Sequence, residues 1–432
     1  MKYYSLNRQS PMLNFKEAAI RGQAPDRGLY FPEHIPVFDS SFFHGIEKMN
    51  DEEIAYQVIQ PYISEAIPQR ILRTIIAETI NFPVPLVKLS ENIFSLELFH
   101  GPTLAFKDVG ARFMSRCLGY FAKGRTKKLV VLVATSGDTG GAVASGFYDV
   151  EGVEVVVLYP SGKVSRVQEK QLTTLGKNIH ALEVAGNFDD CQQLVKNAFA
   201  DEELNRKIFL TSANSINISR WLPQQFYYFL AWKQWPNKKQ PPVIAVPSGN
   251  FGNLCAAVLA HSSGLPVQHF IAACNVNDVV PEFMRTGNYK PRKTIPTISN
   301  AMDVGDPSNF IRILEIFGQD ILELKRMLTA YSITDDETRD TMKRIYSLHH
   351  YLLDPHGAVG YLALEQYLRD KPALQGFFVE TAHPVKFYDV VEPVIEETIP
   401  LPPSIAEIMN KVKMTTAVPV DYDSLKNYLL KL

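Results

Sequence analysis

The chain has 432 residues, of which 46% are hydrophobic and 21% charged, and carries a formal net charge of only −2. That balance places it among globular proteins with a large core, and the length suggests two or three domains. Lysine and arginine (44) nearly match aspartate and glutamate (46), and basic pairs such as Lys127-Lys128 and Lys238-Lys239 stand alone, so small molecules are expected as partners, not nucleic acid.

The first eight residues, Met-Lys-Tyr-Tyr-Ser-Leu-Asn-Arg, lack the apolar core of a signal peptide, and no apolar run approaches the ~18 residues of a membrane span. A cytoplasmic location with no membrane partner is the expectation. Cys117, Cys191, Cys255 and Cys274 are widely separated, fit no zinc spacing, and read as reduced, buried thiols with no metal site.

In chain order, residues 1–90 hold short elements punctuated by prolines, and Pro83-Val-Pro85 reads as a break after an N-terminal region. Beyond Pro102, the apolar residues Phe106, Val109, Phe113, Cys117 and Phe121 recur at helical spacing, with Gly124 as a stop. From Leu129 strands alternate with helices: strands at Leu129–Ala134, Val153–Tyr159 and Asn178–Val184, and helical patterns at Gly140–Tyr148, Val164–Leu175 and Asp189–Phe199. Such alternation predicts an α/β unit with a parallel sheet covered by helices. The charged segment 201–207 suggests a boundary, giving a smaller α/β domain over 91–205 and a larger one over 206–432. The larger domain is expected to contain strands at Val243–Val246, Val267–Ala273 and Gly376–Val379, a long helical stretch over Phe310–Leu353, and a helical carboxyl end.

Lys107 falls in the first turn of the helix after Pro102. A cation there opposes the helix dipole, and burial also disfavours the ammonium form, so both effects favour a neutral, nucleophilic amine. The alternative is a surface lysine with its stem on apolar neighbours. Two strand-to-helix junctions carry small hydroxyl and glycine residues, Thr135-Ser-Gly-Asp-Thr139 and Ser248-Gly-Asn-Phe-Gly-Asn253. Each presents backbone N–H groups at a helix start and suits an anion, or else is a tight turn capped by Asp138 or Ser248. Neither has a dinucleotide or nucleoside-triphosphate spacing. A reactive lysine, a phosphate cradle and a polar partner for a ring nitrogen together suggest pyridoxal 5'-phosphate.

Through His100-Gly-Pro-Thr-Leu-Ala-Phe-Lys-Asp108, Ala134-Thr-Ser-Gly-Asp-Thr-Gly140, Ser212-Ala-Asn-Ser-Ile-Asn-Ile-Ser-Arg220, Pro247–Asn253 and Glu380-Thr-Ala-His-Pro384, the chain resembles the threonine synthase family. That family lies within the fold-type II pyridoxal-phosphate enzymes related to tryptophan synthase β and threonine dehydratase, and the long N-terminal region is that of its bacterial and fungal branch. The resemblance implies two open α/β domains with mostly parallel sheets and the cofactor in the cleft between them. It implies conversion of O-phospho-L-homoserine and water to L-threonine and phosphate, the last step of threonine biosynthesis, by a monomer or homodimer.

Residue by residue, the resemblance makes Lys107 the cofactor-holding and proton-shuttling lysine. It makes Gly249, Asn250, Phe251, Gly252 and Asn253 the cradle for the cofactor phosphate, and Thr381 the hydroxyl partner of the ring nitrogen. Thr135, Ser136, Gly137 and Thr139 would grip the substrate carboxylate, and Asn214, Ser215 and Arg220 the substrate phosphate. Lys163 and Ser165 are weaker candidates for that last role, and Ser215 or Asn217 could instead cap a helix beside a solvated Arg220. Asp138 stands where the wider cofactor group has asparagine facing the ring hydroxyl, an exchange familiar in this branch. Two anions cannot share one short contact without a proton, so the protonation of Asp138 and the ring oxygen stays open. His100, His356 and His383 are possible acid or base groups. A dehydratase or another β-eliminating enzyme would use the same apparatus without the Asn214, Ser215, Arg220 set, and a catalytically silent ligand-binding homologue is a different class of alternative.

Overall fold

The computed structural model describes residues 1–124, 127–135 and 137–432. Its frame is two mostly parallel sheets. In the five-stranded sheet, Leu129–Ala134 lies between Val153–Pro160 and Phe209–Ser212, followed on the far side by Ile179–Val184 and then Thr416–Val418, all parallel. The six-stranded sheet runs Leu328–Ser332, His269–Cys274, Val243–Pro247, Gly376–Glu380, Ile93–Glu97, Leu86–Lys88. Only its last pair is antiparallel. All six residues of Leu129–Ala134 and all five of Val243–Pro247 are buried, which is why these strands are unbroken apolar runs: helices cover both faces of a parallel sheet.

Strand pairing departs from the segment limits expected from the sequence. Ile93–Glu97, placed in the smaller unit, pairs with Gly376–Glu380 in the six-stranded sheet. Phe209–Ser212 and Thr416–Val418, placed in the larger unit, belong to the five-stranded one. Charge at 201–207 marks a solvated helix, Glu202–Lys207, and not a change of sheet. The expected long helix over 310–353 is also interrupted. Helices Phe310–Ile316 and Ile321–Met327 are separated by a turn with positive φ at Gly318 and Gln319. Leu328–Ser332 then pairs as an edge strand with Phe270–Cys274 before the helix Asp335–His349. Edge pairing outweighed helical periodicity in that stretch.

The N-terminal region starts with a three-stranded antiparallel sheet, Leu13–Asn14, Lys2–Ser5 and Tyr30–Pro32. Its helices Asp51–Ile63 and Gln69–Thr79 pack on Gln225–Gln234 and Lys107–Ala122, respectively. Helix Gly252–Ser262 is apolar nearly all round and runs through the core. Lys107–Ala122 lies against Asp138–Phe147 on one side and the Arg220 segment on the other. A Cβ on Gly110 would stand 2.6 Å from the Arg220 carbonyl oxygen, so glycine at 110 sets how closely Arg220 approaches the lysine helix. All four cysteines are free and buried. Among the described residues, no helix is long and apolar enough to cross a membrane.

Candidate active site

Lys107 is the first residue of its helix, and no side chain caps that end. The lead-in turns through Leu104, whose φ is +57°, and its N–H donates to the Gly101 carbonyl at 3.0 Å. A left-handed backbone at a branched apolar residue is strained and persists only when its surroundings fix it. The fixing partner is the segment after Gly376–Glu380: Ala105 bridges Ala382, and the Phe106 N–H donates to the Thr381 carbonyl at 2.8 Å. Lys107 and Thr381 therefore flank one short ladder, and both line the same cleft. Burial lowers the Lys107 amine to about 8, with Asp138 opposing and Lys386 and Arg220 adding to the shift.

The fraction of neutral Lys107 amine rises steeply with pH below about 8, is one half there, and levels off about one pH unit higher. Capture of pyridoxal phosphate by cofactor-stripped protein should accelerate about tenfold per pH unit below that midpoint. Stopped-flow absorbance measures this directly, and a flat profile from weakly acidic to weakly basic pH would contradict it.

Asp138 opens the helix Asp138–Phe147 and is 5% exposed. It is not the cap: the Thr135 hydroxyl accepts from the N–H groups of Gly137 (3.0 Å) and Gly140 (2.8 Å). Thr135 is thus committed to holding the loop in shape. Gly137 does not line the cleft, and a Cβ there would stand 2.5 Å from the Gln168 carboxamide. Thr139 lines the cleft, while Ser136 lies outside the described residues. Asp138 accepts from Gln168 Nε2 at 2.9 Å and pairs with Lys386 Nζ at 2.7 Å. Burial alone would raise its carboxyl, but the Lys386 and Lys107 cations outweigh that and hold it well below the usual carboxylate range.

The second loop leaves strand Val243–Pro247 and enters helix Gly252–Ser262 through Phe251, whose φ of +61° turns the backbone so that the helix N-terminus faces the cleft. Phe251 holds this posture by packing edge-on against Phe310, with ring centroids 5.5 Å apart. Ser248 does not cap this helix; its hydroxyl donates to the Val246 carbonyl at 2.8 Å. Tyr228 donates to Asn253 Oδ1 at 2.5 Å, which leaves the buried Asn253 Nδ2 without a partner among the described residues. An orphaned amide beside exposed N–H groups at a helix start suits a phosphate. Gly249 lies against the backbone of Met302, and a Cβ would come within 2.5 Å of its Cα. Gly249→Ala must displace one of the two loops, and a roughly tenfold or larger weakening of cofactor affinity is expected. Equilibrium dialysis against pyridoxal phosphate reads it out.

Asn214, Ser215 and Arg220 line the same cleft. Ser215 Oγ accepts from Asn250 Nδ2 at 2.7 Å and from Asn309 Nδ2 at 3.2 Å. With both acceptor positions occupied, its hydrogen is left to donate. The short helix here is capped by Asn217, not Ser215. Arg220 is 2% exposed, far from the solvated alternative. One terminal nitrogen donates to the Ala213 carbonyl, and the buried Nε has no partner among the described residues. Burial brings its guanidinium down to about 10, so it remains charged at neutral pH. Lys163 reaches the cleft from an exposed position, whereas the Ser165 hydroxyl caps helix Arg166–Thr173.

The three histidines are each engaged by a neighbour, and His356 also lines the cleft. His100 pairs with Glu97 at 2.6 Å. His356 is held by Asp354 and accepts from the Ala301 N–H at 3.1 Å. His383 accepts from the Val385 N–H at 3.1 Å, and burial lowers its imidazole to about 4.

Sequence reasoning missed Lys386, Gln168, Asn309 and Arg312. Lys386 follows the quoted 380–384 motif by two residues, and asking what neutralises Asp138 would have found it. Arg312 is fully buried and donates to the carbonyls of Tyr30 (3.0 Å) and Ile216 (2.6 Å) and to Asn309 Oδ1 (2.7 Å). It fastens the N-terminal region to the Ser215 loop, and no local sequence signal marks it.

An amine poised near neutrality, a carboxylate fixed by a cation, a helix N-terminus with an orphaned amide and a hydroxyl on a short ladder, all on one cleft between two α/β sheets, define a pyridoxal-phosphate enzyme of fold type II. Residues 78–377 match the family described as pyridoxal-phosphate dependent enzyme. Residues 2–80 match the threonine synthase N terminus and residues 357–429 the threonine synthase C-terminal region. The chain belongs to the threonine synthase family. It is 44% identical to threonine synthase of Escherichia coli over 100% of this chain and 99% of that one. It is 36% identical to the Saccharomyces cerevisiae enzyme over 90% and 88%. Solved structures agree: E. coli threonine synthase superposes with a TM-score of 0.92 at 43% identity, covering all of both chains. The pyridoxal-phosphate-bound threonine synthase of Brucella melitensis gives 0.94 at 34% identity, over 100% of this chain and 99% of that one.

Proposed function

We infer that this protein is a pyridoxal-phosphate-dependent lyase that converts O-phospho-L-homoserine and water to L-threonine and phosphate. The observation that carries the reading is the pairing, within one cleft, of a near-neutral lysine amine with two separate groups of phosphate donors. One group is the Gly249–Asn253 helix start with its orphaned amide; the other is Ser215 and Arg220, each with an uncommitted donor.

Bound pyridoxal phosphate supplies an electrophilic carbon for amines and a conjugated ring that takes up the electrons left by a broken C–H bond. The residues present suit it. The Gly249–Asn253 N–H groups and the Asn253 amide would hold its phosphate, Asp138 would accept from the ring hydroxyl, and the Thr381 hydroxyl would serve the ring nitrogen without protonating it. Lys107, its amine free while substrate is bound, would take the α-proton as a neutral base and return protons later. Thr139 and the loop that Thr135 braces orient the substrate carboxylate, and Lys163 is the weaker candidate for its phosphate. Asn214, Ser215 and Arg220 hold the substrate phosphate, and their donors stabilise it as the bond from Cγ to oxygen breaks. Loss of phosphate from Cγ needs a Cβ proton to leave with it; Cγ then takes up a proton and water adds at Cβ, so each threonine formed consumes one water and releases one phosphate.

Mixing the cofactor-loaded protein with O-phospho-L-homoserine while assaying phosphate and threonine tests this reading. Equal amounts of the two products are expected. Faster turnover of phosphate-free L-serine or L-threonine would move the function to a dehydratase.

A further inference from the structure

Lys386 is fully buried and does not line the cleft. A lysine so placed is rare unless paired. Its Nζ lies 2.7 Å from Asp138 Oδ1 and donates to the Thr103 carbonyl at 2.8 Å. The backbone holds it firmly: its N–H donates to the His383 carbonyl at 3.0 Å, and the His383 N–H donates to the Leu104 carbonyl at 3.0 Å. The segment that carries Lys386 is therefore tied to the turn that delivers Lys107.

Asp138 has two lysines within its field, and only Lys386 is in hydrogen-bond contact. We propose that Lys386 is a positioning residue that serves as the dedicated counter-ion of Asp138, keeping that carboxylate acceptor-only toward the cofactor ring and leaving the Lys107 nitrogen without an ion-pair partner. The proposal rests on the reading of Asp138 as a cofactor-binding residue. It answers the charge question at this position: a carboxylate already neutralised by an ammonium does not take the ring proton, so the ring oxygen facing it keeps its own. Without Lys386, the nearest cation left to Asp138 is Lys107, and a charged Lys107 is no nucleophile.

The other ionisable groups around the cluster are Arg220, His383 and Asp108. Asp108 accepts from the N–H (2.9 Å) and hydroxyl (2.5 Å) of Thr103 and faces Arg112 and Tyr227. None of these is in hydrogen-bond contact with Asp138 among the described residues, so none replaces Lys386.

The test compares wild type, K386M, D138N and D138N/K386M as cofactor-loaded proteins, reading the pH midpoint of the cofactor's visible absorbance, the thermal midpoint, and kcat and KM. Removing the cation while keeping the carboxylate favours a protonated nitrogen at Lys107. In K386M the absorbance midpoint should rise by about one pH unit or more, a tenfold change in the protonation equilibrium, and kcat should fall at least about tenfold with KM changed far less. D138N/K386M, with both charges gone, should return the absorbance midpoint and thermal stability toward wild type. A K386M protein that melts lower with an unmoved absorbance midpoint would reduce Lys386 to a fold-holding residue and overturn the proposal. A double variant no better than K386M would do the same. If K386M does not fold, the double variant set against D138N decides: its failure to fold also overturns the idea. A D138N protein with wild-type cofactor affinity and spectrum would instead sink the Asp138 assignment.

Discussion

Lys107→Ala is expected to lower threonine formation by about 10⁴-fold or more and to remove the visible band of the bound cofactor. The size follows from what one side chain does. General base catalysis by a positioned group contributes up to about 10⁴-fold, or roughly 5.4 kcal/mol of barrier, and in the role proposed for it the same amine would also anchor the cofactor covalently. The fold should tolerate the change. Lys107 makes no hydrogen bond through its amine among the described residues, and burial already disfavours its charge. Thermal midpoint and far-ultraviolet circular dichroism should match wild type while phosphate release and threonine vanish together. Added methylamine, small enough to enter the space vacated by the side chain, should restore part of the rate. A variant that kept the visible band and more than a few per cent of turnover would remove Lys107 from both roles.

Arg220→Ala is expected to reduce kcat/KM for O-phospho-L-homoserine by about 10²–10³-fold, equivalent to ~3–4 kcal/mol, while the cofactor band is retained and its pH midpoint moves only upward, as the loss of a cation near Lys107 requires. Charge on the departing phosphate grows as its bond to carbon lengthens, so a buried cation stabilises the transition state more than the bound substrate. kcat should therefore fall as well as KM rise. The loss has a structural component, because the Ala213 carbonyl that Arg220 now serves is left without that donor, at a cost of about 1–3 kcal/mol. Arg220→Lys separates the two effects: it restores a charge, but not a planar fork able to donate to the carbonyl and the phosphate at once. Partial recovery of kcat without full recovery of KM is the expected result. Wild-type turnover in the alanine variant would contradict the assignment.

The parallel strands were legible because burial on both faces demands unbroken apolar runs, and Leu129–Ala134 and Val243–Pro247 admit no other reading. Lys107 was legible because a helix start and a lysine are both local. What was not local was hidden. The pairing of Ile93–Glu97 with Gly376–Glu380 depends on a partner far along the chain, and the edge strand Leu328–Ser332 depends on His269–Cys274 being there to receive it. In the site the same division holds. The glycine and hydroxyl loops announced themselves, whereas Arg312 and Lys386 look like any other cation until the fold buries them. Thr135 shows the reverse case: the family resemblance implied a ligand for substrate, but its hydroxyl is engaged with the N–H groups of Gly137 and Gly140.

The contact of Lys386 with Thr103 spans 283 residues of sequence, and the strand that precedes Lys107 takes its parallel partner from one that ends at Glu380. Contacts this distant form late, because the chain must close a long loop before any of them is rewarded. During synthesis from the amino end, then, the lysine helix emerges well before the groups that desolvate and orient its amine. Until nearly nine-tenths of the polypeptide has been made, Lys107 is an ordinary charged lysine with little affinity for aldehydes. With Lys107 in its proposed role, covalent loading would become a checkpoint on complete folding, since a truncated or half-folded chain lacks the groups that lower the amine and cradle the cofactor.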